Sequence, residues 1–302
     1  MNNNHYFKQV DLLISILPDV LKDSRVALKG GTAINLFLHD MPRLSVDIDL
    51  AYVFIDSREI ALKNINEIMT AINNSLHLQG SHIELKYTQD QIIKQIIVNN
   101  HEVSIKVEIN LVLRGVVNPP QLLPLCHKAQ AVFSRYILVN CVNELDLYAG
   151  KFCAALDRQH PRDLFDVMQF FKKNRYDRNL HNTFLVYLIS HNRPIGELIQ
   201  PNRLNINESF IKEFKGMVQE NITIFELEQA REELIQTING FMTKRDKAFL
   251  ISFKNIMPEW DLLDLKNIEH LPAVQWKLYN LKKMDLLKQR QQLEMLKQKL
   301  YH

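Results

Sequence analysis

Cysteine is scarce in this 302-residue chain: Cys126, Cys141 and Cys153 are the whole complement. The number is odd, the spacing is wide and no two form a CxxC pair. That excludes a disulfide framework and argues against a zinc site; reduced thiols in a cytoplasmic setting are the expectation. Long apolar runs are lacking too. None approaches the ~20 residues that span a bilayer. The opening MNNNHYFKQVDLL has no basic segment followed by an apolar one, so no signal peptide is expected. The eleven histidines show no metal-ligand spacing. Glycine is sparse as well, with only eight in the chain, and two of them stand together at Gly30 and Gly31.

What remains is ordinary globular material. Hydrophobic residues make up 46% and charged residues 24%, and the length suffices for one large or two ordinary domains. The net charge of +3 is unevenly placed. Residues 1–150 hold 13 Lys/Arg and 15 Asp/Glu, whereas residues 151–302 hold 24 and 19. A basic second half suits contact with phosphate backbones, although a solvated lysine-rich helix gives the same count.

Apolar spacing predicts a helix over 5–24 ending near Pro18, a short strand over 25–29 and a helix over 32–39. A strand of clear period two follows over 44–53, then an amphipathic helix over 57–78. Three strands are expected at 82–88, 91–98 and 102–112, with a hairpin turn at Asn99-Asn100. From about residue 143 the pattern is helical, including 208–219, 226–239, 244–254 and one long helix over 274–299. The expected class is α+β: a mixed-sheet α/β domain over 1–140 and an α-helical domain over 141–302.

The stretch LKGGTAINLFLHDMPRLSVDIDL, Leu28 to Leu50, concentrates the unusual features. Residues i and i+2 of a strand share a face. Asp47 and Asp49 therefore project together, with Ser45 on the same face. Two neighbouring carboxylates repel unless a cation screens them, and Mg²⁺ favours carboxylate oxygens together with water and phosphate oxygens. Glu108, in IKVEINL, offers a third carboxylate, which an adjacent antiparallel strand would bring to the pair. A Gly-Gly turn opening a helix allows close backbone approach and aims N–H groups at an anion. A phosphate cradle beside metal-binding carboxylates is equipment for nucleotidyl or phosphoryl transfer.

KGGTAINLF and RLSVDIDL resemble the first motif of the nucleotidyltransferase superfamily with the DNA polymerase β-like fold, and more closely its AbiEii/MenT branch of nucleotidyltransferase toxins. ELDLYAGKFCAALDRQHPRDLFDVMQFF resembles that branch's lysine helix and the Arg-Asp motif after it, and PAVQWKLYNL is a fainter echo. The resemblance implies that Gly30, Gly31 and Thr32 form the phosphate-contacting turn. Asp47, Asp49 and Glu108 would be metal ligands for Mg²⁺ or Mn²⁺. Lys151 would contact the triphosphate, and Asp163 would be the later site acid, with Asp166 able to fill the same role. Arg43 would contact phosphate or brace the loop, and Arg162 would touch phosphate or pair with Asp166. A lysine on an amphipathic helix is ordinarily exposed, but Leu147, Tyr148, Phe152 and Leu156 surround Lys151 in sequence.

The implied activity is transfer of a nucleotide from an NTP to a hydroxyl, with RNA such as the tRNA acceptor end as the expected acceptor. The implied role is the toxin of a toxin–antitoxin or abortive-infection system, with a cognate antitoxin as partner. The alternatives are modification of a protein or small molecule, or NTP and RNA binding without turnover.

Overall fold

Alternating burial along the strands sets the architecture of the first half. A computed structural model describes residues 2–78 and 81–301. The chain divides into two compact units: residues up to Leu147 with Lys215–Asn221, and Tyr148–Phe214 with the chain from Ile222 onward.

The first unit opens with α1 (Asn2–Val20), β1 (Val26–Lys29) and α2 (Gly30–Ala33), which continues as one π-helical turn over Ile34–Leu38. Then come β2 (Asp47–Tyr52), α3 (Arg58–Leu78), β3 (His82–Tyr87), β4 (Ile93–Asn99) and β5 (Ser104–Ile109). After these follow β6 (Gln121–Pro124), α4 (His127–Phe133) and β7 (Leu138–Cys141). α5 (Glu144–Arg158) begins here. The seven strands form one mixed sheet in the order β3-β4-β5-β2-β1-β7-β6.

Ile48, Leu50 and Tyr52 of β2 are buried on one face, as are Ile105, Val107 and Ile109 of β5. α1 and α3 pack on each other and on the strands through Val10, Leu13, Leu17, Ile65, Ile68 and Ile72. Burying each such side chain contributes roughly 1.5–3 kcal/mol. β2 and β5 run parallel, not antiparallel as the sequence suggested. Alternation is the same in either direction; the long helical crossover through α3, ahead of the β3–β4–β5 meander, is what allows the parallel pairing. α1 also runs two residues past Pro18. A proline in a helix removes one backbone donor, and burial of Leu17 and Val20 offsets that loss.

Asn100 turns β4 into β5 by accepting from the Val103 N–H at 3.1 Å. The excursion 215–221 returns to the first unit by backbone pairing. Arg43 bridges Val218, and the Leu44 N–H donates to the Met217 carbonyl at 2.8 Å.

The second unit takes the rest of α5 and is helical: α6 (Pro161–Lys173), α7 (Arg178–Ser190), α8 (Ile195–Ile199), α9 (Asn207–Glu213) and α10 (Ile224–Phe241). α11 (Lys244–Lys254), α12 (Pro272–Lys282) and α13 (Leu286–Tyr301) complete it. The single helix expected over 274–299 is thus two, broken at Lys283–Asp285, where Asp285 caps the second by accepting from the Leu287 and Lys288 N–H groups. Aromatic rings fill the core: Phe170 lies 4.6 Å from Tyr148 and 5.1 Å from Phe152 between ring centroids.

One buried acid ties two helices together. Asp246 closes a capping box with Thr243 at the start of α11 and takes a bidentate pair from Arg178 of α7. Burial works to raise its carboxyl, but Arg178, His181 and Thr243 override it and hold the group far below the usual carboxylate range. Asp246→Ala removes the carboxylate half of the capping box and strands Arg178, and we expect a loss of about 3 kcal/mol. A urea midpoint equal to that of the wild type contradicts this role.

Candidate active site

β1 ends at Lys29, and the chain must reverse at once into α2. Gly30 makes that turn with φ +74°, a conformation that L side chains rarely adopt. Space gives a second reason for glycine. A Cβ on Gly30 would lie 2.3 Å from Oδ2 of Asp49, and one on Gly31 would lie 2.6 Å from Nη2 of Arg43. The Asp49 carboxylate therefore packs directly on the turn.

Thr32 ties the turn to β2. Its hydroxyl donates to the Asp47 carbonyl at 2.5 Å. A carbonyl only accepts, so the 3.0 Å contact between the Thr32 and Ser45 hydroxyls has Ser45 donating to Thr32. Arg43 is only 3% exposed and donates through Nη1 to the Leu44 carbonyl at 2.9 Å. Its position against Gly31 fits the loop-bracing role.

Register lays out the carboxylates. Asp49 pairs with Glu108 across β2 and β5, Lys29 pairs with Asp49 on the other side, and Gln95 of β4 pairs with Glu108. Lys29, Asp49, Glu108 and Gln95 thus form one row across four strands, on one face. In the adjacent row Asp47 pairs with Lys106. Asp47 and Asp49 are half-buried, whereas Glu108 is exposed rather than enclosed, and Gln95 donates to its Oε1. Lys106 and Gln95 escaped the sequence reading, although the alternation of SIKVEI puts Lys106 on the face of Glu108.

Two adjacent carboxylates on a glycine turn, all oxygen donors, suit Mg²⁺ or Mn²⁺, which complete their shells with water and phosphate. Among the described residues no three His, Cys, Asp or Glu side chains converge into a chelating group. Asp47 and Asp49 are the pair that could hold such an ion; Glu108, expected as the third ligand, is in register with Asp49 but does not converge with them into one group.

The remaining expected residues lie in the second unit, so the site residues fall into two clusters. Lys151 on α5 is 8% exposed, unlike an ordinary amphipathic-helix lysine. Its Nζ lies 2.8 Å from Asp163 Oδ1 and 2.9 Å from Asp166 Oδ2, so both acids meet it. Arg158, absent from the sequence reading, donates through Nε to Asp163 at 2.6 Å. Burial works to raise the Asp163 carboxyl; the charges of Lys151 and Arg158 prevail and hold it well below the usual range. Arg162 Nη2 stands 3.9 Å from Glu213. His160 caps α6, and its burial lowers the imidazole's proton affinity despite the nearby Glu213.

A mixed sheet carrying two aspartates against a Gly-Gly turn, followed by helices with a buried lysine, is the arrangement of a nucleotidyltransferase. A family model described as nucleotidyl transferase AbiEii toxin, type IV toxin–antitoxin system, matches residues 11–278. The chain belongs to this family and is a nucleotidyltransferase toxin of the type IV class. Among solved structures it is similar to MenT4, a nucleotidyltransferase toxin from Mycobacterium tuberculosis, with a TM-score of 0.61 and 14% identity over 93% of this chain and 97% of that one. At that identity the likeness concerns the fold. No curated protein sequence matches the chain. Among the described residues no helix is long and apolar enough to cross a membrane.

Two outcomes test this geometry. Gly30→Ala forces a side chain into the Asp49 carboxylate at a left-handed φ, so we expect a loss of about 1–3 kcal/mol in stability and a larger relative loss of transfer activity. Wild-type values for both contradict the close-approach reading. For Asp163, a depressed folded value means stabilisation present above its unfolded value near pH 4 and lost as pH falls through the folded value. Asp163→Asn should flatten the acid limb of stability against pH, read as urea midpoints from pH 7 downward. An unchanged acid limb removes Asp163 as its source.

Proposed function

We propose that the chain transfers a nucleotide from an NTP to a hydroxyl of RNA, such as the tRNA acceptor end, with a divalent cation held by Asp47 and Asp49. The observation that carries this reading is the half-buried aspartate pair packed on the Gly30 turn, with Glu108 in register beside it. A bound Mg²⁺ or Mn²⁺ supplies charge neutralisation along the phosphates.

The chain's own groups do the rest. The N–H groups after Gly30 cradle phosphate oxygens, and Thr32 keeps the turn fixed to β2 by its bond to the Asp47 carbonyl. Arg43 and Ser45, both buried, hold the loop that leads into Asp47. Glu108, exposed at the sheet face, takes the proton of the acceptor hydroxyl as its oxygen bonds to the α-phosphorus and pyrophosphate leaves. The roles of Lys151 toward the triphosphate and of Asp163 as its carboxylate partner rest on the motif they occupy and on their ion pair. Family membership implies an NTP substrate and a cognate antitoxin. RNA as acceptor is supported by the basic second half of the sequence. A cytoplasmic location agrees with three free cysteines.

Incubation with labelled NTPs, Mg²⁺ and total tRNA tests this reading. Label on RNA is expected; label on protein favours a protein-modifying enzyme, and no label on any acceptor favours a binding module. Asp49→Ala should lower transfer on the order of a thousandfold or more, the effect of several kcal/mol of lost charge stabilisation, and should relieve growth inhibition while the fold persists. Chelation by EDTA should abolish transfer and added Mg²⁺ should restore it. Unchanged activity in the Asp49 variant sinks the site assignment.

A further inference from the structure

The α12 helix presents two different faces. Ala273, Val274, Leu278 and Leu281 are buried. Trp276, Tyr279, Asn280 and Lys283, at the helical spacing i, i+3, i+4 and i+7, form one exposed stripe. Trp276 is 44% exposed and Tyr279 47%. Their rings stack on each other, with centroids 5.6 Å apart and planes 23° apart. Lys283 Nζ sits 4.3 Å from the Tyr279 ring centroid.

A single exposed aromatic needs no explanation. A stacked, half-bare pair with an ammonium on one ring does. The pair leaves flat π surface in water, and the surrounding charge is predominantly positive. Between residues 276 and 290 there are five Lys/Arg and one acid, Asp285. Lys277 is otherwise engaged, because its Nζ donates to the Asn192 carbonyl at 3.1 Å at the end of α7. Lys282, Lys283, Lys288 and Arg290 are all exposed. A protein partner that buried these rings would have to cover or pair the cations around them. An unpaired nucleotide strand meets both needs: each base offers a flat face to a ring, and each phosphate offers a charge to a lysine.

We propose that the Trp276–Tyr279 stripe of α12 is a stacking platform for unpaired RNA nucleotides, flanked by Lys282 and Lys283 as phosphate contacts. It deepens the acceptor reading given above and rests on it. The platform grips the strand without base-specific hydrogen bonds, as stacking tolerates any base.

The test is a titration of the full chain with a short, unstructured single-stranded RNA oligonucleotide in the absence of NTP. It is followed by tryptophan fluorescence and by anisotropy of labelled RNA. RNA is expected to quench the fluorescence of Trp276, with W276F lacking the quench. W276L and Y279L keep the helix and its buried face but remove a ring; each should weaken binding roughly tenfold. W276F and Y279F should bind nearly as the wild type does. K282Q with K283Q should lower the salt dependence by about two phosphate contacts. Leucine variants that bind within about twofold of the wild type overturn the platform, as does a wild type that does not bind RNA. Loss of antitoxin recognition with RNA binding intact also overturns it, in favour of a protein interface. Failure of the acceptor reading is seen separately, as label that never reaches RNA in the transfer assay. If RNA is labelled equally well by wild type and leucine variants at limiting RNA, the platform falls and the acceptor reading stands.

Discussion

Two carboxylates on one strand face have to be kept charged and close, and much of the first unit follows from that. At the separation of i and i+2 in a strand, like charges repel by about 1 kcal/mol or more unless positive groups stand near. The sheet provides those groups through register. Lys29 flanks Asp49, Lys106 flanks Asp47, and Gly30 puts no side chain against the Asp49 carboxylate. The apolar face behind, with Ile48, Leu50 and Val107, fixes that register. A one-residue slip would turn every charge inward, so the hydrophobic layer and the charged layer specify each other.

The second unit solves a harder version of the same problem, because its charges are buried. Lys151, Asp163 and Asp166 lie out of water, and each loses several kcal/mol of solvation. One lysine between two acids leaves a negative surplus, which Arg158, itself exposed, balances from the solvent side. Elsewhere Arg178 does the same for Asp246. Arg231 is buried against Gln159 and the Leu204 carbonyl. Such clusters add little to net stability compared with apolar packing. They fix geometry, since any shift of one partner leaves another charge bare.

The sequence made legible what local pattern decides. Period two exposed β2 and β5, and the Gly-Gly pair marked the turn. Short β6 and β7, four residues each, exist through pairing with each other and of β7 with the distant β1, and left no local signal. α7 is buried almost all round, from Leu180 to Ser190, so it lacks the amphipathic period that reveals a helix. Strand direction was misread because alternation carries no polarity. The return of residues 215–221 to the first unit depends on the Leu44 and Met217 backbones, which no side-chain pattern encodes. Among site residues, Lys106 and Arg158 went unread for one reason: a basic residue in a polar pattern looks like solvent-facing charge until its neighbour is known.

The chain divides its cations by chemistry. Two of its buried arginines, Arg43 and Arg231, use planar guanidinium groups to satisfy carbonyls and side-chain oxygens within the fold. The lysines at the sheet face and along α12 are compact point charges on flexible stems. Lys29 and Lys106 stand in register beside Asp49 and Asp47. On the reading proposed above, such ammonium groups can exchange carboxylate neighbours for phosphate oxygens of a bound NTP without disturbing the backbone. An arginine locked to a carboxylate by two parallel bonds would resist that exchange. The contacts that set the shape of the turn are of another kind: Thr32 and Arg43 bond to backbone carbonyls, and Gly30 packs directly on Asp49.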